Sequence, residues 1–180
     1  MRSIQLQVYL VSAILLIPLV FKAQGAGNNN VNTKKKESYM QSNKEIVQAL
    51  YEQSMNKRNT ALLPQLIGED FTGPQGEKGV AGFESIIGPL INAFPDIQWK
   101  LEDIIQEGDK VAVSWQWTGT NTGAFRNFPA SGKIVTSGGM GFYNCKNGKI
   151  ISAQIQTDRL GFWQGIGVLP LDLTQVYIKK

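Results

Sequence analysis

Val80 to Thr118 reads VAGFESIIGPLINAFPDIQWKLEDIIQEGDKVAVSWQWT, and its periodicity changes halfway along. In the first half Phe83, Ile86, Ile87, Leu90, Ile91 and Phe94 recur every three or four residues, the spacing of one helix face. Gly88 and Pro89 interrupt that face, which predicts a kink or a break, and Pro95 ends it. Beyond Pro95 the period falls to two. Ile97, Trp99 and Leu101 alternate with polar residues, and Glu107-Gly108-Asp109-Lys110 makes a turn. Val111, Val113, Trp115 and Trp117 then share one face of the next strand, with Ala112, Ser114, Gln116 and Thr118 on the other. Successive same-face tryptophans predict a heavily buried face. Core packing is their first role, and lining a ligand pocket is the second.

Toward the N-terminus, Ser42-Asn43-Lys44-Glu45 has the spacing of a capping box and opens a helix whose Ile46, Ala49, Leu50 and Gln53 share a face, with Met55 near its end. Asn59 can cap a second short helix through Leu62, Leu63, Leu66 and Ile67, with Pro64 in its first turn. Asp70 to Gly79 is turn-rich and is expected to be a loop. Toward the C-terminus, a looped segment with Gly119, Gly123, Pro129 and Gly132 leads into a strand from about Lys133 to Cys145. Gly138, Gly139 and Gly141 there suggest a bend or bulge. Asn147-Gly148 turns the chain back into a strand over Lys149 to Asp158. Its alternation separates Ile151, Ala153 and Ile155 from Ser152, Gln154, Gln156 and Asp158. Helices first and a meandering antiparallel sheet afterwards predict one α+β domain.

At 180 residues the chain allows one domain with an appendage. The apolar run Val8 to Phe21 follows Arg2 and precedes the small residues Ala23 and Gly25, which predicts a signal peptide over 1–25 cut near Gly25. The run is shorter than the roughly 20 residues that span a bilayer, so no stable membrane span is expected after cleavage. Residues 26–41, with three asparagines and three lysines in a row, are expected to form a flexible linker, the domain to cover 42–170, and 171–180 to be a tail. Export to the periplasm or beyond is the expected location.

Cys145 is the only cysteine and there is no histidine, which removes intrachain disulfides, Ser-His-Asp chemistry and the commonest zinc ligand. Acid/base work falls to Asp, Glu, Lys and Tyr. Cleavage would remove Arg2 and Lys22 and halve the formal charge of +4, and only Lys34 to Lys36 cluster, so a nucleic-acid partner is not expected. Asp158, where a strand with alternating faces ends, can project a carboxylate into a cavity or cap the turn that follows. Asp96 is expected to be a turn or cap residue. Arg126, Tyr143 and Gln156 are candidate pocket groups with surface or hairpin roles as the alternative.

The order of elements resembles that of the SnoaL-like polyketide cyclase, or ester cyclase, family of the nuclear transport factor 2-like superfamily. The motifs that carry the resemblance are Ala93-Phe94-Pro95-Asp96, Glu107 to Val111, Gly119-Thr120-Asn121-Thr122-Gly123, Phe128-Pro129-Ala130-Ser131-Gly132 and Asn147-Gly148-Lys149-Ile150. Asp158 follows, with Gly161, Gln164, Gly167 and Pro170. The resemblance implies a cone-shaped, curved, mainly antiparallel sheet wrapped by N-terminal helices around a hydrophobic cavity, and intramolecular aldol ring closure without metal or organic cofactor. Asp158 matches the position of the family's acid/base, and relatives often pair through the open sheet face, so a homodimer is open to this chain. Two positions depart from the pattern: Asn121 stands where a histidine is frequent, and Gln154 where a tryptophan is usual.

Two functions follow as expectations. One is an exported, cofactor-independent enzyme of cyclase or isomerase type acting on a small hydrophobic carbonyl compound. Asp158 would be its base, and Asn121, Gln154, Gln156, Trp115, Trp117 and Tyr143 would be its substrate-binding groups. The other is a non-catalytic domain of the same fold that binds a small hydrophobic ligand. No metal site is expected in either.

Overall fold

Ser42 starts the first helix as its spacing predicts. Its hydroxyl accepts from the Glu45 backbone N–H at 3.2 Å, and the Glu45 carboxylate accepts from the Ser42 N–H at 2.7 Å. The structure is a computed structural model that describes residues 42–176; the expected signal peptide and linker lie outside the described residues. Helix α1 spans Asn43–Ala49 and continues as a π-helical segment, Leu50–Met55, that buries Leu50, Tyr51, Ser54 and Met55. Asn56 N–H reaches back to the Tyr51 carbonyl at 2.9 Å, five residues away, so the wider turn redirects the inward face.

The second helix is shorter than expected. Thr60–Leu62 form a 3-10 turn, α2 covers Leu63–Leu66, and Asn59 makes no side-chain cap. Ile67 already belongs to strand β1, Ile67–Thr72, so a strand occupies part of what reads as helix end and loop. Helix α3, Gly79–Ala93, continues through Gly88 and Pro89 as one helix, so of the expected kink or break the break does not occur. One proline removes one hydrogen bond. The Ala93 and Phe94 side chains, fully buried, hold the helix end beyond it.

Strands β2 (Gln98–Glu107), β3 (Lys110–Thr120), β4 (Ile134–Lys146) and β5 (Lys149–Thr157) form the expected antiparallel meander. β1 adds to it in parallel with β5, giving the order β1-β5-β4-β3-β2 in an unclosed, curved sheet. The buried residues of β3 are Val111, Val113, Trp115, Trp117 and Gly119, the alternation read from sequence. Together with Phe71, Phe83, Phe94, Ile97 and the inward face of α1 they form the core.

The bulges lie elsewhere than at the glycines. β3 and β4 pair without a shift from Lys110–Asn144 to Thr120–Ile134, and β4 and β5 pair in register from Gly139–Thr157 to Asn144–Ser152. Register shifts occur at Leu101/Asp103 and at Asn144/Cys145, and the second moves Ile150, fully buried, into the inward position that Ile151 would otherwise take. Gly139 and Gly141 instead make room for rings. A Cβ on Gly139 would lie 2.6 Å from the Trp115 ring, and one on Gly141 would lie 2.8 Å from the Tyr143 ring.

Candidate functional site

β5 ends at Thr157, and Asp158 turns the chain into helix α4, Arg159–Gly165. Its backbone N–H donates to the Gly138 carbonyl at 2.9 Å, tying the turn to β4. Its carboxylate Oδ1 accepts from the Gly161 N–H at 2.8 Å, so Asp158 caps α4. Gly161 is required for this: a Cβ there would lie 2.2 Å from Oδ2. The aspartate is exposed at the rim of the sheet, in water and not in an apolar enclosure.

An open depression of about 370 Å³ lies beside it, lined among others by Gln116, Gly138, Met140, Gln156 and Asp158. Gln116, Met140 and Gln156 are exposed residues that alternate with the buried set, so the depression lies mainly on the outer side of the sheet. Gly138 leaves it open, since a Cβ there would meet only the Trp115 carbonyl, at 3.4 Å. Three of the residues singled out in the sequence therefore converge: Asp158, Gln156 and Trp115. Gln154 sits one outward position further along β5, exposed and paired with Phe142.

The others take interior positions. Trp117 is buried and packs edge-on against Phe94, with ring centroids 5.1 Å apart, and against Phe162 of α4 at 6.1 Å. Phe125 and Phe128 extend this aromatic packing outward onto Phe162 and Trp163. Asn121 is 1% exposed and fully committed to backbone. Its amide donates to the carbonyls of Ala93 and Gly123 and its oxygen accepts from Ser131 N–H at 2.8 Å. It fastens the β3–β4 loop to the end of α3.

Asp96 secures the same corner, accepting from Thr120 N–H and Oγ1, each at 2.7 Å. Those bonds, with Arg58 nearby, hold its carboxyl below the ordinary carboxylate range. The Gly119-to-Gly123 motif is thus explained by docking, since a Cβ on Gly123 would lie 2.2 Å from the Asn92 carbonyl oxygen.

Tyr143 is buried, and its hydroxyl lies 2.6 Å from that of Tyr51. Burial pushes both phenols upward, Tyr51 well above 10.0. Tyr51, the partner of Tyr143 in the core, is a residue that the sequence reading passes over; its place one residue after Leu50 is the signal that was present. Cys145 is a buried thiol raised to about 11 by desolvation and by Asp109. Among the described residues no group of His, Cys, Asp or Glu side chains is arranged to hold a metal ion, and no helix is long and apolar enough to cross a membrane.

This architecture recurs in solved structures. A protein from Jannaschia sp. CCS1 named as a SnoaL-like polyketide cyclase is 23% identical with a TM-score of 0.66, over 71% of this chain and 93% of its own. A polyketide cyclase by name from Acidithiobacillus ferrooxidans is 25% identical with a TM-score of 0.62, over 69% and 94%. AclR of Streptomyces galilaeus, named as a hydroxylase, is 20% identical with a TM-score of 0.63, over 71% and 97%. A comparison with curated proteins finds no match. The sequence profile of the SnoaL-like polyketide cyclases matches residues 45–166, from the capping box through α4. With α2 to α4, the whole meander and Asp158 inside that span, the chain belongs to the SnoaL-like polyketide cyclase family.

Proposed function

We propose that this protein acts outside the cytoplasm on a small hydrophobic carbonyl compound, by cofactor-independent proton transfer of the aldol, cyclisation or isomerisation type. The observation that carries this is the convergence of Asp158, Gln156 and Trp115 on one depression beside Met140. Asp158 supplies the base: one carboxylate oxygen is held by Gly161 N–H and the other remains for a substrate proton. The Gln156 amide can donate to the enolate oxygen as charge develops there. The test needs no knowledge of the natural substrate. Hydrogen–deuterium exchange at the carbon between the carbonyls of methyl benzoylacetate, a β-keto ester, is expected to be accelerated by the protein and to fall by about a hundredfold or more in Asp158→Asn. An exchange rate that Asp158→Asn leaves unchanged sinks this reading.

A second reading, a non-catalytic binding domain, is favoured by the cap itself, because Asp158 has a structural use that needs no reaction. It predicts ligand affinity indifferent to Asp158→Asn and no catalysed exchange. For partners, a second copy of the chain has a surface to meet. Ile105, Ala112 and Phe142 form one cross-strand row on the outer face, with Met140 in the next. Ile105 is 67% exposed, Phe142 51% and Met140 52%. Pairing there would cover Met140 and narrow the mouth of the Asp158 depression.

A further inference from the structure

Large apolar side chains also stand in water around α4, on the side of the sheet away from Ile105 and Phe142. Phe128 is 37% exposed, Leu160 45% and Leu171 86%. They are set about Trp163, which is half-buried and has its ring centroid 5.2 Å from that of Phe128. Leu160 lies three residues before Trp163, a spacing that puts both on one helix face. The Gln164 amide donates to the carbonyls of Pro170 and Leu171 at 2.9 and 3.1 Å, which holds the segment carrying Leu171 against that helix. On the loop, Phe125 and Phe128 exchange both backbone hydrogen bonds, at 3.0 and 3.1 Å, so Arg126 and Asn127 form a closed tip with Phe128 fixed beside it. Single exposed apolar residues are ordinary, whereas several on one helix and the segments tied to it mark a place of contact.

Cations outnumber acids at the rim of this surface. Arg126, Lys133 and Arg159 are all exposed. The Arg126 guanidinium lies 5.8 Å from the centre of the Phe125 ring, Lys133 Nζ lies 2.6 Å from where a Gly167 side chain would begin, and Arg159 opens α4. The only acids between Gly119 and Val176 are Asp158, which caps α4, and Asp172, which accepts from Thr174. From Ser42 to Thr118 the balance is reversed, with acids in excess, so the basic part of the domain is the part that bears the aromatic surface. A second copy meeting it about a twofold axis would set like charges against one another. An anionic lipid surface meets them with the opposite charge, and Trp, Phe and Leu flanked by Arg and Lys is the composition that seats at the boundary between headgroups and acyl chains.

We propose that the α4 surface docks the folded domain on an anionic lipid bilayer, with Phe128, Leu160 and Leu171 entering the headgroup boundary and Arg126, Lys133 and Arg159 meeting lipid phosphates. The domain lies on the bilayer and does not cross it. The docking does not require that Asp158 be a base.

The experiment uses the chain from Ala26 to Lys180, since the apolar run before it would itself insert into lipid. Co-sedimentation is measured with vesicles of equal parts phosphatidylcholine and phosphatidylglycerol and with phosphatidylcholine alone, each carrying brominated lipid so that tryptophan quenching reports contact. The expected result is saturable binding to the anionic vesicles, weaker binding to the neutral ones, and quenching that is lost in Trp163→Phe, because Trp99, Trp115 and Trp117 lie in the core. Leu160→Ser and Leu171→Ser should each weaken binding by about tenfold, and Arg126→Gln and Arg159→Gln each by about fivefold. Lys34 to Lys36 are present in every protein compared, so attraction by that run alone would leave the leucine variants at wild-type affinity and tryptophan unquenched. That result overturns the proposal, as does no binding, equal binding to neutral vesicles, or a wild-type dimer that Leu160→Ser dissociates. Quenching in the wild type decides the matter even where a variant fails to fold.

Discussion

At the scale of single residues, Asp158 carries two roles that substitution can separate. Asparagine caps a helix about as well as aspartate, so Asp158→Asn is expected to keep its unfolding midpoint, whereas Asp158→Ala should lose about 1 kcal/mol of stability. Urea unfolding of both variants checks this; equal losses would show that the charge, and not the cap, holds the turn. The tyrosine pair makes a pH-dependent contribution of definite sign. Above pH 10.0 the unfolded chain releases phenolic protons that buried Tyr51 and Tyr143 retain, so stability falls as pH rises through that region. Asp96 acts at the other end, where its depressed carboxyl gives stability that is lost as pH falls below the ordinary carboxylate range. Unfolding midpoints against pH should lose part of the alkaline slope in the double variant Tyr51→Phe/Tyr143→Phe, the remainder including the raised Cys145 thiol, and part of the acid slope in Asp96→Asn. Wild-type slopes in these variants would contradict the assignments.

At the scale of elements, β4 shows what the sequence could and could not convey. Three glycines in one strand read as a bulge, because flexibility is the local meaning of glycine, whereas the reason for two of them is a packed ring, Trp115 of the neighbouring strand over Gly139 and Tyr143 of β4 itself over Gly141. The two adjacent glycines should therefore respond differently. Gly139→Ala sets a methyl 2.4 Å from the Gln156 carbonyl oxygen and 2.6 Å from the Trp115 ring, and is expected to cost about 1–3 kcal/mol. Gly138→Ala meets nothing nearer than 3.4 Å and should be near neutral. Comparable unfolding midpoints for the two variants would contradict the packing described. Capping boxes, turns and alternation were legible because each is local: Ser42 with Glu45, Asn147 with Gly148, Val111 through Trp117. β1 was not, since its partner β5 lies far along the chain and Gly68, Glu69 and Asp70 lack strand character. The π-helical turn leaves no periodic mark on so short a segment.

At the scale of the whole molecule, an antiparallel meander behind a helical N-terminal half was readable from the change of period at Pro95, and the family profile covers the same span. The site was readable in part. Asp158, Gln156 and Trp115 come together, while Asn121, read as a ligand-binding amide, is a fastening for the loop because its bonds run to backbone that only the fold brings near. Export and pairing are tested together by mass spectrometry of the protein recovered from outside the cytoplasm. Under denaturing conditions the account expects a chain beginning just after Gly25, and under native conditions two copies; a retained Met1 or a persistent monomer would contradict the respective proposal. The most direct measurement is deuterium exchange into methyl benzoylacetate by the wild type and by Asp158→Asn, with equal folding verified by urea midpoint. The account predicts catalysed exchange that drops by about a hundredfold or more when the carboxylate becomes an amide; identical rates for the two proteins would contradict it.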